Sequence, residues 1–262
     1  MKVFEFYFNP KLKNEYQFRS FHFRPPNNET LFLGDLYILL ELYHSRPEDR
    51  EFFSQLAETI KDNFYKNTKL LPEENFHNAL KGLNALFGKK LNAGETRWMG
   101  NFHLIIINAN NFYLHFSSFG DNKILLLRDE ELLDLSQQLE EQRNEQFSSK
   151  PFVNFGTVKI IPQDKIFVLT TQVFEKIYGE ILEEIVNLEE IAPKKIKKIL
   201  KDNKNQLGRI SGILALILPE RAQINSWWER IKIICHFIKT HKRLILTLSF
   251  LILLFLSYLM FH

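Results

Sequence analysis

The side chains best suited to catalysis or metal binding in this sequence are its histidines, its single cysteine and a few acids. Five of the eight histidines fall in the first half of the chain, at His22, His44, His77, His103 and His115. No two of them have the His-Glu-x-x-His spacing by which one helix presents two imidazoles to a metal. We interpret them as scattered surface or strand residues.

Other motifs that carry chemistry are equally incomplete in the sequence. Cys235 is the only cysteine, so neither a disulfide framework nor a cysteine-rich zinc site can form, which suits a reducing compartment. Gly34-Asp35 lacks the further glycines and the lysine of a phosphate-binding loop. No serine has the local motif of a Ser/His/Asp hydrolase.

The charge pattern gives little reason to expect a nucleic-acid partner. The 262 residues carry a formal net charge of +3, too small for a general attraction to polyanions. The basic excess is local, in a lysine-rich stretch that contains Lys194, Lys195, Lys197, Lys198, Lys201 and Lys204. This stretch has two interpretations: a solvated helix face with Ile196, Ile199 and Leu200 turned inward, or a surface attracted to anionic lipids.

Residues 244–261 are eighteen residues without a charge. At about 1.5 Å of rise per residue, a helix of this length crosses the hydrocarbon core of a bilayer. Helices buried in globular domains seldom stay apolar for this length. The run therefore predicts one C-terminal transmembrane helix, a tail anchor, and a buried core helix is the alternative.

The residues before this run predict its orientation. Lys242 and Arg243 adjoin it, and Trp227 and Trp228 lie in a basic amphipathic segment, 221–243. Basic residues beside a span stay on the cytoplasmic side, and tryptophan favours the headgroup region. We therefore expect a single-pass protein whose N-terminal part is cytoplasmic, in a bacterial inner membrane. A helix packed on the domain is the other interpretation of the basic segment.

Residues 1–220 are expected to form one domain. Alternating apolar residues between turn signals predict strands, and apolar residues three to four apart predict helices. We expect strands at 3–8, 17–23, 31–40, 102–108, 112–119, 123–127, 153–161, 166–171 and 213–218, and helices from Pro47 and Pro72 and at 173–188 and 193–201. The even turns between residues 102 and 127 predict antiparallel neighbours. The element order is typical of an α+β fold.

Two stretches resemble a known family. Residues 116–128, Phe-Ser-Ser-Phe-Gly-Asp-Asn-Lys-Ile-Leu-Leu-Leu-Arg, resemble the Val-Gly-Asp-Ser-Arg turn and following strand of PPM-type, metal-dependent Ser/Thr protein phosphatases. Residues 154–156 and 161–177 resemble that family's later strand pair and Ser-Asp-Gly turn. The order of elements over residues 31–218 also agrees. The resemblance implies a sandwich of two antiparallel β-sheets flanked by helix pairs.

The same resemblance implies a cluster of acids that holds two divalent cations, Mn²⁺ or Mg²⁺, which activate a water for attack on a phosphate ester. It assigns these acids to three places. At the first, Glu41 stands before Leu42 where the family has Asp-Gly. At the second, Thr171 lies between Thr170 and Gln172, with no carboxylate, and at the third Ser211-Gly212 offers only a hydroxyl.

Glu41 is therefore the one candidate metal ligand, and an ordinary strand-end acid is its alternative. Gly120 and Asp121 match the family's Gly-Asp turn, which we interpret as an Asx-type turn between two strands. Arg19 and Arg24 lie near the family's phosphate-binding arginine, although neither aligns with it. One glutamate and a few hydroxyls cannot offset the four positive charges of two divalent cations.

Three functions follow from these observations. The first is a catalytically inactive, membrane-anchored PPM-like domain that binds a protein partner or regulates a complex, with no cofactor expected. The second is a divergent Ser/Thr phosphatase that uses Mn²⁺ or Mg²⁺ at Glu41. The third is a membrane-anchored interaction domain of unrelated fold. Since a fold does not fix a function, the residues at the site must decide between them.

Overall fold

A computed structural model describes residues 1–9, 16–47, 49–96, 98–141, 154–188 and 190–220. The predicted basic segment and tail anchor, with Trp227, Trp228, Lys242 and Arg243, lie outside these residues and stay predictions. Within the described residues, no helix combines the length and the apolar composition that crossing a bilayer requires.

Two five-stranded sheets form the centre of the described domain, and every described strand pairing is antiparallel. Sheet 1 joins, in order, β1 (Lys2–Phe8), β10 (Gly212–Leu218), β9 (Lys165–Leu169), β6 (Lys123–Arg128) and β7 (Glu131–Asp134). Sheet 2 joins β2 (Tyr16–Phe23), β3 (Asp35–Tyr43), β4 (Phe102–Ala109), β5 (Tyr113–Phe119) and β8 (Gly156–Lys159). The predicted pair of antiparallel sheets is confirmed.

Helices cover the outer face of each sheet. On sheet 2 lie α1 (Asp49–Tyr65) and α2 (Pro72–Asn92). On sheet 1 lie α4 (Thr171–Ile177), α5 (Glu180–Val186), α6 (Pro193–Asp202) and α7 (Lys204–Leu207). The short α3 (Leu135–Glu141) packs beside β6 and β5. The domain is therefore a four-layer arrangement, with a helix layer on each side of the sandwich.

Side-chain alternation along β3 explains how one strand serves two hydrophobic cores. Leu40 and Leu42 face α1 and α2, whereas Tyr37 and Leu39 face the other sheet. Both faces are buried, so the strand is apolar almost throughout. Each fully buried leucine stabilises the fold by roughly 1.5–3 kcal/mol. Glu41 shares the face of Leu39 and thus points between the sheets, where a carboxylate needs compensation.

The strand predicted at 31–40 is wrong in its first half. A short 3-10 helix, Asn28–Leu33, precedes β3, because the side chain of Asn27 accepts a hydrogen bond from the backbone N–H of Thr30 at 3.1 Å. Such capping starts a helix where apolar alternation alone suggests a strand. The strand then runs to Tyr43, so Glu41 lies inside β3 rather than at its end.

The predicted meander between residues 102 and 127 is correct for β4 and β5 only. These two strands pair, but the turn after β5 carries the chain across the sandwich, so β6 joins sheet 1. Turn residues signal a reversal but not which sheet the next strand enters. The short β7, which pairs with β6, has only four residues and was not predicted.

Other predicted boundaries also change. The helix predicted at 173–188 is two helices, α4 and α5, separated at Tyr178-Gly179, and Tyr178 is left exposed. The strand predicted at 166–171 ends at Leu169, because Thr170 is the N-cap of α4. Of the strand predicted at 153–161, residues 154–161 are described, and only Gly156–Lys159 form a strand, β8.

Candidate functional site

The three places that the family resemblance assigns to acids lie at one end of the sandwich. Glu41 is near the end of β3, Thr171 begins α4, and Ser211 directly precedes β10. Oε2 of Glu41 accepts a hydrogen bond from the backbone N–H of Thr171 at 3.3 Å. Oε1 of Gln172 accepts another from the N–H of Ser211, also at 3.3 Å. The fold thus brings these places together, although only one of them carries a carboxylate.

The Glu41 side chain is fully buried and surrounded by hydrogen-bond donors. Its Oε1 accepts from the hydroxyl of Tyr16 at 2.6 Å and from that of Tyr43 at 2.8 Å. Its Oε2 faces the N–H and the hydroxyl of Thr171, each at 3.3 Å. A buried carboxylate is tolerated only when such partners compensate its lost hydration. Here protein donors, rather than cations, occupy both oxygens.

The surroundings of Tyr16 and Tyr43 keep both phenols protonated, so that each can donate a hydrogen bond. Burial raises the pKa of Tyr16 well above its ordinary value, and the nearby charge of Glu41 and the hydrogen bond to it raise it further. The same causes, in the same order, raise the pKa of Tyr43. Each phenol therefore keeps its proton at any physiological pH and can donate it to the carboxylate.

A second group of side chains extends the network toward α4. The Thr171 hydroxyl lies 3.2 Å from Oδ1 of Asn122 and 3.0 Å from Nδ1 of His103. Because this hydroxyl has one proton, it satisfies one acceptor at a time. Backbone donors contribute as well: the N–H of Thr171 is shared between Glu41 and Asn122, which it reaches at 3.1 Å, and the N–H of Asp121 reaches His103 at 3.3 Å. We call these residues the Glu41 network: Tyr16, Glu41, Tyr43, His103, Asn122 and Thr171.

The Gly120-Asp121 turn contributes backbone rather than side chain to this network. Gly120 has φ +85°, and a Cβ there would lie 2.5 Å from Cγ of His103, so the turn wraps closely over the imidazole. Asp121 is exposed, and its described contact with the network is the N–H bond to His103. The structure thus places Asp121 at a solvent-facing turn that joins the two sheets.

The residues at this end do not fit a pair of divalent cations. A binuclear centre needs several anionic oxygens free to face the metals. Glu41 is the only carboxylate in the network, and donors already occupy both of its oxygens. The network's unpartnered buried atom, Nδ2 of Asn122, is a donor and cannot ligate a cation. Among the described residues, no group of three or more His, Cys, Asp and Glu side chains is arranged to hold a metal.

Sequence reasoning missed four members of the network. His103 was interpreted as a scattered surface or strand residue, but it is buried in β4 opposite Glu41. Tyr43 could have been found, because it lies two residues beyond Glu41 and shares its face. Tyr16 and Asn122 come from other elements, and only the strand pairing and the crossing turn bring them to the carboxylate.

A cleft with a volume of about 480 Å³ lies on the other face of β3. Its lining includes Leu42, Phe52, Lys90 and Trp98, from β3, α1, α2 and the loop after α2. Since neighbouring side chains of a strand point to opposite faces, Leu42 and Glu41 face different layers. The cleft is therefore separate from the Glu41 network.

Comparison with known proteins identifies the fold but not a sequence family. No protein-family model and no curated protein matches the sequence. Among solved structures, a serine/threonine phosphatase of S. agalactiae is similar at a TM-score of 0.58 and 12% identity, covering 83% of this chain and 98% of that one. PppA, described as a key regulatory component of T6SS in Pseudomonas aeruginosa, gives 0.54 and 12%, covering 77% and 96%. The SiaA PP2C domain of Pseudomonas aeruginosa gives 0.55 and 8%, covering 83% and 85%.

These neighbours are PPM-type Ser/Thr phosphatases, also called PP2C phosphatases. The described domain therefore has the PPM phosphatase-like fold, as its sequence resemblance predicted. At identities of 8–12% the likeness establishes the fold alone. Activity has to be argued from the Glu41 network.

Proposed function

We propose that this chain is a catalytically inactive PPM-type phosphatase-like domain that acts as a binding or regulatory module. The observation that carries the proposal is the state of Glu41. The one acid left at the three matching places is buried and accepts hydrogen bonds from Tyr16, Tyr43 and Thr171. Metal ions at this end would have to displace these donors and would still find a single anion.

The hydroxyl groups at the other two places support the same proposal. Thr171 and Ser211 are neutral, and the backbone N–H of each donates into the protein. Neither could generate a metal-bound nucleophile, because that chemistry needs a cation held in fixed coordination. What remains is a rigid end of the sandwich, held closed by hydrogen bonds, which suits a surface that another protein recognises.

The test uses the full-length chain purified in a mild detergent. Mn²⁺ and Mg²⁺ are titrated calorimetrically up to 10 mM, and hydrolysis of p-nitrophenyl phosphate and of a phosphothreonine peptide is measured with each metal. We expect no saturable binding at micromolar metal and no turnover above that of a Glu41→Gln variant. Asp121→Asn is the matched control, since it removes an exposed carboxylate outside the network.

Binding of two ions per chain at micromolar metal, with hydrolysis abolished by Glu41→Gln, would contradict this proposal. The chain would then be the divergent metal-dependent phosphatase that the sequence leaves open. Micromolar binding of Mn²⁺ or Mg²⁺ without hydrolysis would contradict our expectation that the domain uses no metal cofactor. A phosphopeptide that binds without being hydrolysed would support the module and identify its partner chemistry.

We further propose that residues 244–261 anchor this domain in a membrane, with the domain on the cytoplasmic side of a bacterial inner membrane. The uncharged run and its basic flank, with Lys242 and Arg243, support this. Membranes from expressing cells are washed at alkaline pH, which strips peripheral proteins. We expect the full chain to stay in the pellet, whereas release of the chain into the wash would contradict the anchor.

A further inference from the structure

Helix α6 carries a stripe of lysines directly opposite its buried face. Ile196, Ile199 and Leu200 pack into the core beneath sheet 1. At 100° per residue, the positions opposite these three are i, i+3, i+4 and i+7 of the helix. They are occupied by exposed lysines, which we call the lysine stripe: Lys194, Lys197, Lys198 and Lys201.

The charges of the stripe are unfavourable for the helix that carries them. Lysines three and four residues apart on one face repel one another. The first turn contains Lys194 and Lys195 and no acid, so positive charge lies at the positive end of the helix dipole. By contrast, α1 and α2 both have acids in the first turn, and α2 has Lys89 and Lys90 in the last.

The stripe has little neutralisation within the described residues. One described acid, Glu190, pairs with a lysine of α6, and it lies 3.6 Å from Lys195, beside the stripe. No described ion pair involves the four lysines of the stripe itself. An external anionic surface would reduce the repulsion between the lysines of the stripe, which no described acid offsets.

We propose that the lysine stripe of α6 docks the domain on the anionic headgroups of a bilayer, an inference that rests on the proposed membrane anchor. Between the end of β10 and residue 244 lie residues 219–243, which at full extension span at most about 90 Å. The length of this connection does not by itself exclude any face of the domain from the bilayer. Charge then selects the face, and α6 presents four lysines that form no ion pair with any other described residue.

The chemistry of the stripe fits lipid better than a soluble polyanion. Lysine ammonium groups are flexible point charges, suited to a diffuse negative surface, whereas arginine provides the planar fork that grips a single phosphate. Neither an arginine nor an aromatic ring interrupts the stripe. Aromatic rings would be needed to stack the bases of a nucleic acid. The convex face of a helix also offers no pocket for a phosphorylated side chain.

The experiment reconstitutes the full chain into phosphatidylcholine vesicles with or without 30% phosphatidylglycerol. Lysines are acetylated briefly, and their labelling rates are read by mass spectrometry. We expect the stripe to be labelled at least three-fold more slowly in the anionic vesicles, with the difference lost in 0.5 M NaCl because salt screens the attraction. The internal reference is a set of exposed lysines in α2 and in the loop before it, on the other side of the sandwich: Lys66, Lys69, Lys81 and Lys89.

Two charge-neutralised variants sharpen the result. One replaces the four lysines of the stripe by glutamine, and the matched control replaces the four reference lysines. Amide hydrogen exchange of α6 is then measured in both vesicle types. We expect it to be slower in anionic than in neutral vesicles for the wild type and for the control variant, but equal in both for the variant without the stripe. Because the labelling experiment uses wild-type protein, it decides the proposal even if either variant misfolds.

Equal labelling of the stripe in both vesicle types would overturn the proposal. Protection in neutral vesicles by added polyphosphate, with none from phosphatidylglycerol, would also overturn it and assign the stripe to a soluble polyanion. Flotation with neutral vesicles reports on the anchor separately. If the chain fails to float with neutral vesicles, the proposed anchor is wrong. Labelling of the stripe in the presence of anionic vesicles then still tests whether the stripe binds lipid.

Discussion

The backbone N–H of Thr171 donates to Oε2 of Glu41 across 130 residues of sequence, and this bond links β3 of sheet 2 to the start of α4, which follows β9 of sheet 1. Where the resemblance implied that cations would lie between acids, a carboxylate here meets an amide and a hydroxyl directly. The tyrosine hydroxyls complete the shell around the carboxylate. The end of the sandwich is closed by the protein itself.

Removing either tyrosine hydroxyl should destabilise the domain. Tyr16→Phe or Tyr43→Phe leaves a buried carboxylate short of a donor, and a hydrogen bond to a charged group contributes about 1.5–3 kcal/mol. We expect losses of about that size in urea unfolding of the full chain in detergent, followed by circular dichroism. Tyr113→Phe, on a half-exposed ring, is the control and should change the free energy of unfolding by less than about 0.5 kcal/mol. Equal effects at all three positions would contradict a special role for the network.

Chelation should leave the stability of the domain unchanged. Ligands that bind only the folded state raise its stability with the logarithm of their free concentration, once that concentration exceeds the dissociation constant. Since the network is closed by hydrogen bonds, we expect the same melting temperature in 5 mM EDTA as in 5 mM MnCl₂, within about 1 °C, by scanning calorimetry. The Glu41→Gln variant should melt lower in both solutions. A rise in melting temperature with Mn²⁺ that Glu41→Gln abolishes would show that metal binds there.

Adding a methyl group at the crossing turn should disrupt the network. Gly120→Ala places a Cβ against the His103 ring and keeps a positive φ, whereas Gly94→Ala, at φ +77°, meets nothing within 4 Å. The second variant should lose about 1–2 kcal/mol of stability from backbone strain alone. The first should lose about 1–3 kcal/mol more through overpacking. Equal losses in urea unfolding would mean that His103 moves aside freely.

Acid should destabilise the domain through His115. Burial lowers the pKa of His115 to about 4 from an ordinary value near 6.5, and its Nδ1 lies 2.9 Å from Oγ1 of Thr157. Between these two values the unfolded chain binds a proton that the folded chain does not. Stability therefore falls as pH drops from about 6.5 to about 4, by up to about 3 kcal/mol.

The measurement for His115 is the free energy of unfolding at pH 7.0 and 4.5. The wild type should lose more than a His115→Gln variant, because glutamine does not titrate. His77→Gln, on an exposed side chain of α2, should retain the wild-type pH dependence. If His115→Gln and the wild type respond identically, the buried imidazole does not set the acid sensitivity.

The hairpin between β6 and β7 can be stabilised by one substitution. Its two turn residues, Asp129 and Glu130, have φ of +49° and +67°, the left-handed conformation that a two-residue type I′ turn requires. Glu130→Gly creates the favoured Asp-Gly turn and should raise the free energy of unfolding by about 1 kcal/mol. Glu131→Gly, one residue later in β7, should lower it. A loss from Glu130→Gly would indicate that its side chain stabilises the turn.

Periodicity predicted the layers of this fold because burial imposes it. The alternation of Phe4, Phe6 and Phe8 predicted one apolar face of β1, which the structure packs into the core on the helix side of sheet 1. The spacing of Leu80, Leu83 and Phe87 predicted the buried stripe of α2, which the structure packs on sheet 2. Apolar spacing reports which face is buried. It does not report what the buried face touches.

The prediction failed where capping or pairing decides. Asn27 turned a predicted strand into a 3-10 helix through one side-chain bond. The site depends even more on pairing, because His103 meets Glu41 only through the register of β3 and β4. Nothing in the local sequence around residue 103 indicates that register. The resemblance located Glu41 and Thr171, and the structure was needed to find the tyrosines that donate to Glu41.

The pairing of Lys2 with Leu218 has a consequence for how the chain is made. Sheet 1 contains both the first and the last described strand, so it cannot close until nearly the whole domain has been synthesised. At roughly 5–20 residues per second, β1 waits on the order of ten seconds or more for its partner. During that time its phenylalanines are exposed on the ribosome, beside apolar sequence that is still emerging. Chaperone capacity during synthesis should therefore affect the yield of folded protein.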